Sequence, residues 1–188
     1  MSSIKLTGDT SGEITISAPA VAGTNTLTLP ASTSTIATTA DLPTNTPYFV
    51  ARLGSTQTAT DNAFTKAEFD SIIFESTSSG FDTTNHKFVV PSGQGGIYQI
   101  EANLNIESTV DTTMVNCYIR PYLNGVADSP LAVNDFRANY VRKFSASFSR
   151  VISLSAGDEV EIYGFSNITS GTLQFTNQSL WSMFKLIT

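Results

Sequence analysis

Between Tyr98 and Ile106 apolar and polar side chains alternate without a break: Tyr98, Ile100, Ala102, Leu104 and Ile106 point one way, Gln99, Glu101, Asn103 and Asn105 the other. A period of two is that of an extended strand with one face on a core and the other on water or a polar neighbour. The same reading gives a strand over Met114 to Leu123, running into Asn124-Gly125, a dipeptide that tolerates the positive φ of a tight hairpin turn. Phe144, Ala146, Phe148, Arg150, Ile152 and Leu154 share one face of a long strand whose other face is mostly serine. That strand ends at Ser155-Ala156-Gly157-Asp158, and a strand from Val160 to Phe165 follows. Leu180 to Ile187 is apolar on both faces apart from Ser182 and Lys185, which predicts a central strand covered on both sides. Thr65 to Ile73 fits either a helix of one or two turns, with Thr65 and Glu68 as a capping box, or a loop or irregular strand. About eight to ten antiparallel strands in residues 47–188 match the size of a two-sheet jelly roll or Greek-key sandwich.

The first 46 residues have a different texture. They hold no aromatic residue, carry only Lys5, Asp9, Glu13 and Asp41 as charges, and are rich in Thr, Ser, Ala and Gly. Ile14 and Ile16 alternate around Thr15, and Leu27 and Leu29 alternate with Thr26 and Thr28, each run bounded by Gly or Pro. These are short β segments with too little apolar area to offset an ordering entropy of roughly 1–2 kcal/mol per residue. The segment therefore needs a partner surface, and residues 1–46 are expected to form an extended arm ahead of a domain over 47–188.

Composition narrows the function classes. With 188 residues, 40% hydrophobic and 14% charged, the chain is expected to bury a core. A formal charge of -6 opposes phosphate-backbone binding, so nucleic acid is not an expected partner. The single cysteine, Cys117, excludes an intrachain disulfide. No apolar run approaches the about 18 residues of a membrane span, and the first residues lack a basic segment followed by an apolar one, so neither membrane insertion nor secretion is expected.

The order of several local motifs carries a family resemblance. Phe81-Asp82 precedes Lys87-Phe88-Val89-Val90-Pro91; then come Gly96-Ile97-Tyr98, Leu123-Asn124-Gly125 and Leu154-Ser155-Ala156-Gly157-Asp158-Glu159-Val160; an apolar strand holding Phe184 and Leu186 closes the chain. This order resembles the complement globular-head and tumour-necrosis-factor-like jelly roll over about Tyr48 to Thr188. The resemblance implies a ten-stranded sandwich that assembles as a tight trimer. Independently, Gly12-Glu13-Ile14-Thr15-Ile16, Ala22-Gly23-Thr24-Asn25-Thr26-Leu27-Thr28-Leu29-Pro30 and Thr35-Ile36-Ala37-Thr38 resemble a segment of tail-fibre and virion structural proteins of tailed phages. It occurs once, which implies a short stalk or docking arm rather than a long shaft.

Catalytic chemistry is sparsely represented. His86, the only histidine, sits in the polar run Thr83-Thr84-Asn85-His86-Lys87 and reads as a solvated turn residue, while Cys117, among alternating strand residues, reads as a buried structural thiol. The carboxylates are scattered. Asp111, Asp128, Asp135 or Asp158 could lend oxygens to calcium, as in some relatives of the fold, but no calcium-loop spacing is present. A polysaccharide hydrolase would need paired carboxylates about 5–10 Å apart, for which the sequence offers no obvious pair. The sequons at Asn167 and Asn177 matter only in a secretory pathway, and the basic cluster Arg137, Arg142, Lys143 and Arg150 reads as a solvated face, intersubunit ion pairs or a contact for an anionic glycan.

These readings combine into one expectation: no enzyme, cofactor or metal, but a homotrimeric virion protein made in the host cytoplasm and carried on the outside of a phage particle. The arm, through Ile14, Ile16, Leu27 and Leu29, is expected to hold other virion proteins or to intertwine as a stalk. Tyr48, Tyr98, Tyr118, Tyr122, Tyr163 and Trp181 are expected near the trimer axis unless they fill each subunit's own core. Host glycan or protein is expected to meet the loops Ser55 to Asn62, Glu107 to Thr113 and Val126 to Asn139, with Asp111, Asp128, Asp135, Arg137 and Tyr140 as candidate contacts. A capsid decoration protein of the same fold and a non-viral carbohydrate-binding module are the alternatives.

Overall fold

The structure, a computed structural model, describes residues 3–21, 23–24, 26, 31, 45–128 and 132–186. Leu27 and Leu29 lie outside the described residues. The chain divides into two compact units, Met1–Leu42 and Pro43–Thr188.

In the first unit, β1 (Ser3–Thr7) and β2 (Glu13–Ser17) form a two-stranded antiparallel sheet. Its register sets Ile4 opposite Ile16 and Leu6 opposite Ile14. The period of two then gathers these four apolar side chains on one face and leaves Lys5 and Glu13, 2.8 Å apart, on the other. At the turn, Gly12 takes a φ of 83° that L side chains rarely adopt.

The second unit is an all-β antiparallel sandwich of the jelly-roll type, without a helix among the described residues. One sheet is built on β10 (Met114–Leu123) and β14 (Glu159–Ile168), extended by β8 (Lys87–Val89) and β7 (Phe81–Asp82). The short strands β5 (Thr65–Lys66), β11 (Val126–Ala127) and β12 (Ala132–Asp135) complete it. The facing sheet has β9 (Gly96–Ser108) at its centre, with β13 (Lys143–Leu154) on one side and β16 (Leu180–Lys185), β3 (Tyr48–Arg52) and β6 (Ser71–Glu75) on the other. β15 (Leu173–Phe175) and β4 (Gln57–Thr58) continue that sheet past the end of β16.

The alternation seen in the sequence places the core. Tyr98, Ile100, Ala102, Leu104 and Ile106 of β9 are buried against Cys117, Ile119, Val160 and Ile162 of the facing sheet. At the β3 side the core becomes aromatic. Trp181 meets Phe49 edge-on at 5.0 Å and Phe81 at 5.4 Å, while Phe49 stacks on Phe81 at 4.3 Å. The predicted hairpin is present: Asn124 and Gly125, with φ of 51° and 76°, join Leu123 to Val126 in a two-residue turn.

One alternative is settled and one expectation changes. Of the helix and the loop or irregular strand left open for Thr65 to Ile73, the second is present: its ends are strands β5 and β6, and the Gln57 side chain takes up backbone groups of the segment. Gln57 Nε2 donates to the Lys66 carbonyl at 2.7 Å, and the Glu68 amide donates to Gln57 Oε1 at 3.0 Å. Phe69 is thereby fixed in the core rather than on a helical stripe. The strand β16 is central in its sheet but covered on one side only. Trp181 and Met183 are buried, whereas Leu180, on the opposite face, remains 42% exposed.

Candidate binding surfaces

Cys117, His86 and Asp158 each have a structural place. Cys117 is fully buried between the sheets, and burial pushes its thiol up to about 12, leaving almost no thiolate near neutrality. His86 Nδ1 donates to the Phe69 carbonyl at 3.1 Å. Among the described residues no three His, Cys, Asp or Glu side chains converge as a metal site. Asp158 serves a corner: it accepts from Asn124 Nδ2 at 3.0 Å and from the Ser155 amide at 2.7 Å, and these bonds hold its carboxyl below the usual 3.8.

The six aromatic residues expected near an axis do not share a surface. Tyr98 and Trp181 belong to the subunit's own core, with no ring surface left for another copy. The Tyr98 hydroxyl donates to the Gln94 carbonyl at 2.6 Å. Even-numbered positions of β9 and odd-numbered positions of β16 face the partner sheet, which draws both residues inward. Tyr48 lies on the outward face of the β3 sheet, stacked on Phe184 at 6.2 Å and tilted against Phe74 at 6.3 Å. Tyr118, Tyr122 and Tyr163 lie on the outward face of the other sheet, on the far side of the sandwich.

Those three tyrosines belong to a ladder absent from the expectations. Tyr118 stacks on Phe165 at 5.1 Å, Phe165 meets Phe64 at 5.1 Å, and Tyr122 meets Tyr163 at 3.9 Å. The Arg120 guanidinium is held between them, 3.7 Å above the Phe64 ring and 5.1 Å from that of Tyr122, whose hydroxyl accepts from Nη2. Ring against ring and guanidinium against ring, the ladder ties β10 and β14 to the start of β5. Half-burial, with Glu161 and Tyr122 nearby, raises the Tyr163 phenol. In sequence the signal was the i, i+2 spacing of Tyr118, Arg120 and Tyr122 beside Tyr163 and Phe165, but Phe64 joins it only through the pairing of β5 with β14.

The outward face of the β3 sheet is graded. Phe74, Val50 and Ser182 lie abreast, and Glu101 and Ser149 continue the rung; next to it run Tyr48, Phe184, Gln99 and Val151. Apolar side chains thus gather on β6, β3 and β16, with Phe74 52% exposed, while β9 and β13 carry hydrogen-bonded Asn, Gln and Ser. Asn103 and Ser145, and Gln99 and Ser149, are such pairs.

The candidate loop contacts separate as well. The β9–β10 connection and the segment before β13 meet at one end of the sandwich, where Thr112, Arg137, Ala138, Asn139 and Tyr140 line a depression. Asp111 pairs there with Arg142 at 3.4 Å, and Asp135 with Arg137 at 3.4 Å. Asp61, from the Ser55 to Asn62 loop, reaches the same end and accepts from the Ile168 amide at 2.8 Å. Asp128 is elsewhere: its amide donates to the Pro121 carbonyl and its carboxylate pairs with Arg150, because the hairpin turn returns the chain along β10. Pro47, just ahead of β3, lies at the opposite end, its carbonyl accepting from Lys185 beside the first residues of β9.

No protein-family model matches this sequence, and no curated protein matches it. Solved structures do resemble it in fold. The globular domain of zebrafish complement 1qA superposes with a TM-score of 0.54 at 15% identity, covering 74% of this chain and 97% of that domain. Murine APRIL superposes with a TM-score of 0.51 at 13% identity over 74% of this chain and 98% of its own. The chain shares the jelly roll of these proteins.

Proposed function

We propose that the chain is a non-enzymatic structural protein of a tailed-phage virion, a homotrimeric fibre or spike with the jelly roll as host-attachment tip and residues 1–46 as the segment that joins other virion proteins. The observation that supports this reading is the polarity of the sandwich. Pro47 sits at one end of β9, and the loops carrying Asp61, Asp111, Arg137 and Tyr140 sit at the other, about 40 Å away for a strand of this length. A tip domain needs that arrangement, with the chain entering the sandwich at one end and loops at the other. The apolar side chains left in water on β6, β3 and β16 give a second copy something to cover, and three copies at a tip multiply weak contacts by avidity. The single copy of the threonine-leucine alternation in residues 1–46 favours a second reading, a capsid decoration protein of the same fold with a short gripping arm.

The test has two parts. Light scattering of the full chain gives three times the 20.1 kDa chain mass if the trimer is right, and a monomer overturns it. Labelled trimer is then offered to intact bacteria and to purified phage heads. Saturable binding to cells that weakens with Arg137→Ala and Tyr140→Ala supports the tip. Binding to heads alone replaces it with the decoration protein, and binding to neither overturns both.

A further inference from the structure

Among the described residues the β1–β2 hairpin leaves its whole apolar face uncovered. Ile4, Leu6, Ile14 and Ile16 are 64%, 55%, 67% and 49% exposed, although the register sets them side by side in a two-by-two block. An isolated two-stranded hairpin is marginal in water, and nothing in this one covers its apolar face. The block carries no charge; Lys5 and Glu13 pair on the opposite face, so two such blocks meet without burying an ion.

We infer that this face is covered by the same face of other copies, so that the hairpins of a trimer close on one another into a small β stalk. The inference rests on the trimeric reading given above. Area argues for a second copy over a foreign partner. Four such side chains offer roughly 100 Å² each, or about 400 Å² per hairpin, so a foreign partner meeting one hairpin buries only about 800 Å² in total, short of the roughly 1,200 Å² at which specific interfaces begin. Three faces brought together supply roughly 1,200 Å², at the lower bound of specific interfaces. Small faces suffice only where their local concentration is high. Residues 18–47 tie each hairpin to its jelly roll at no more than about 3.5 Å per residue, which keeps three hairpins of one trimer at an effective concentration in the millimolar range. The edges fit too: among the described residues β1 and β2 pair only with each other, which leaves each an edge for a neighbouring hairpin.

The experiment uses the full chain and three readouts: mass by light scattering, hydrogen exchange of the amides in residues 3–17, and cross-linking of the Ile16→Cys variant with a short bismaleimide. Cys117 is buried and stays silent. The expected result is a trimer whose hairpin amides exchange at least 100-fold more slowly than an unstructured chain, with Ile16→Cys cross-linking between copies. Ile14→Asp then abolishes the hairpin protection while the trimer mass persists. A trimer whose hairpin amides exchange at unstructured rates overturns the inference and leaves the trimeric reading intact. Protection that survives Ile14→Asp, or protection without cross-linking, also overturns it, because the face is then not between copies. A monomer overturns both.

Discussion

At Gly164 side chains of the facing sheet come too close for a Cβ, and Gly164→Ala tests the spacing of the sandwich directly. It lies on β14 facing inward, paired with Ile119 on one side and Thr65 on the other. A Cβ there would stand 2.3 Å from Leu104 Cδ2 and 2.7 Å from Phe175 Cζ. Carbon atoms rest at about 3.5–4.0 Å, so both neighbours must retreat by roughly 1 Å. Both are completely buried, Leu104 within β9 and Phe175 within β15, so neither can retreat into solvent. Overpacking of this kind costs about 1–3 kcal/mol, offset by about 0.4–1 kcal/mol from the lower chain entropy of alanine when unfolded. The expected net loss is about 1–2 kcal/mol, a fall of about 2–8 °C in Tm for a chain of this size. Urea and thermal unfolding of the full chain at one protein concentration measure it, with the urea slope unchanged. Leu104→Ala supplies the control. It removes the clashing methyl and opens a cavity, so Gly164→Ala should cost about 1 kcal/mol less in that background than in the parent. A Gly164→Ala variant within 0.5 kcal/mol of the parent, or an identical cost in both backgrounds, would refute a sheet gap closed by these two side chains.

Other surfaces give further expectations. Phe74→Glu on the β3-sheet face should shift the assembly toward monomer by light scattering while leaving the far-ultraviolet dichroism unchanged; an unaltered mass removes that face from the interface. Asp158 and Asp82 have carboxyls held below 3.8, Asp82 chiefly by the Asn85 side chain and amide. Their stabilisation is therefore present above the unfolded value near 4 and is lost as pH falls through the lower folded values. The urea midpoint should fall on acidification from pH 5 to pH 2, less steeply in Asp158→Asn, and an identical slope in that variant refutes the assignment. Cys117, buried and with its thiol near 12, should resist a disulfide reagent in the native state at pH 8 and react at once in denaturant; fast native labelling would contradict its burial.

What was legible in the sequence follows from which forces act locally. The alternation of β9, the Asn124-Gly125 turn and the long serine-faced β13 depend on period and turn chemistry alone, so the pattern located them closely. Thr65 to Ile73 stayed open because its outcome depends on the Gln57 side chain, which lies outside the segment and beyond the reach of a capping pattern, and the Gln57 bonds leave no role for a capping box. The aromatic residues show the same division. Tyr98 could be assigned to the inward side of its strand, but whether an inward side meets its own chain or another copy is not a property of one strand. Phe64 joined the outer ladder only through a two-residue pairing that no local pattern marks. The loop residues divided likewise, Asp128 leaving the group because β11 folds it back along β10.

An alternating strand states that one of its faces is to be covered without naming the cover, and this chain answers that question in two ways. For β9 and β14 the cover is the opposite sheet, and their inward apolar positions are buried. For β2, and for the outward side chains of β6, β3 and β16, the described residues supply no cover, and Ile14, Ile16, Phe74 and Leu180 stay in water. Single exposed apolar side chains are ordinary on any protein, but paired ones in register across a sheet are not, because each strand could have carried a polar residue there at no cost to its own pairing. β13 makes the comparison within the same sheet: outward Ser145, Ser147 and Ser149 are bonded to or abreast of Asn and Gln, and Val151, its one apolar outward position, faces Gln99 rather than another apolar side chain. The contrast between β13 and β3 is thus a contrast between a face built for water and one built for contact. The hairpin block and the β3 patch are therefore where association should be sought, ahead of the loops, whose polar contacts specify a partner but supply little of the area that holds copies together.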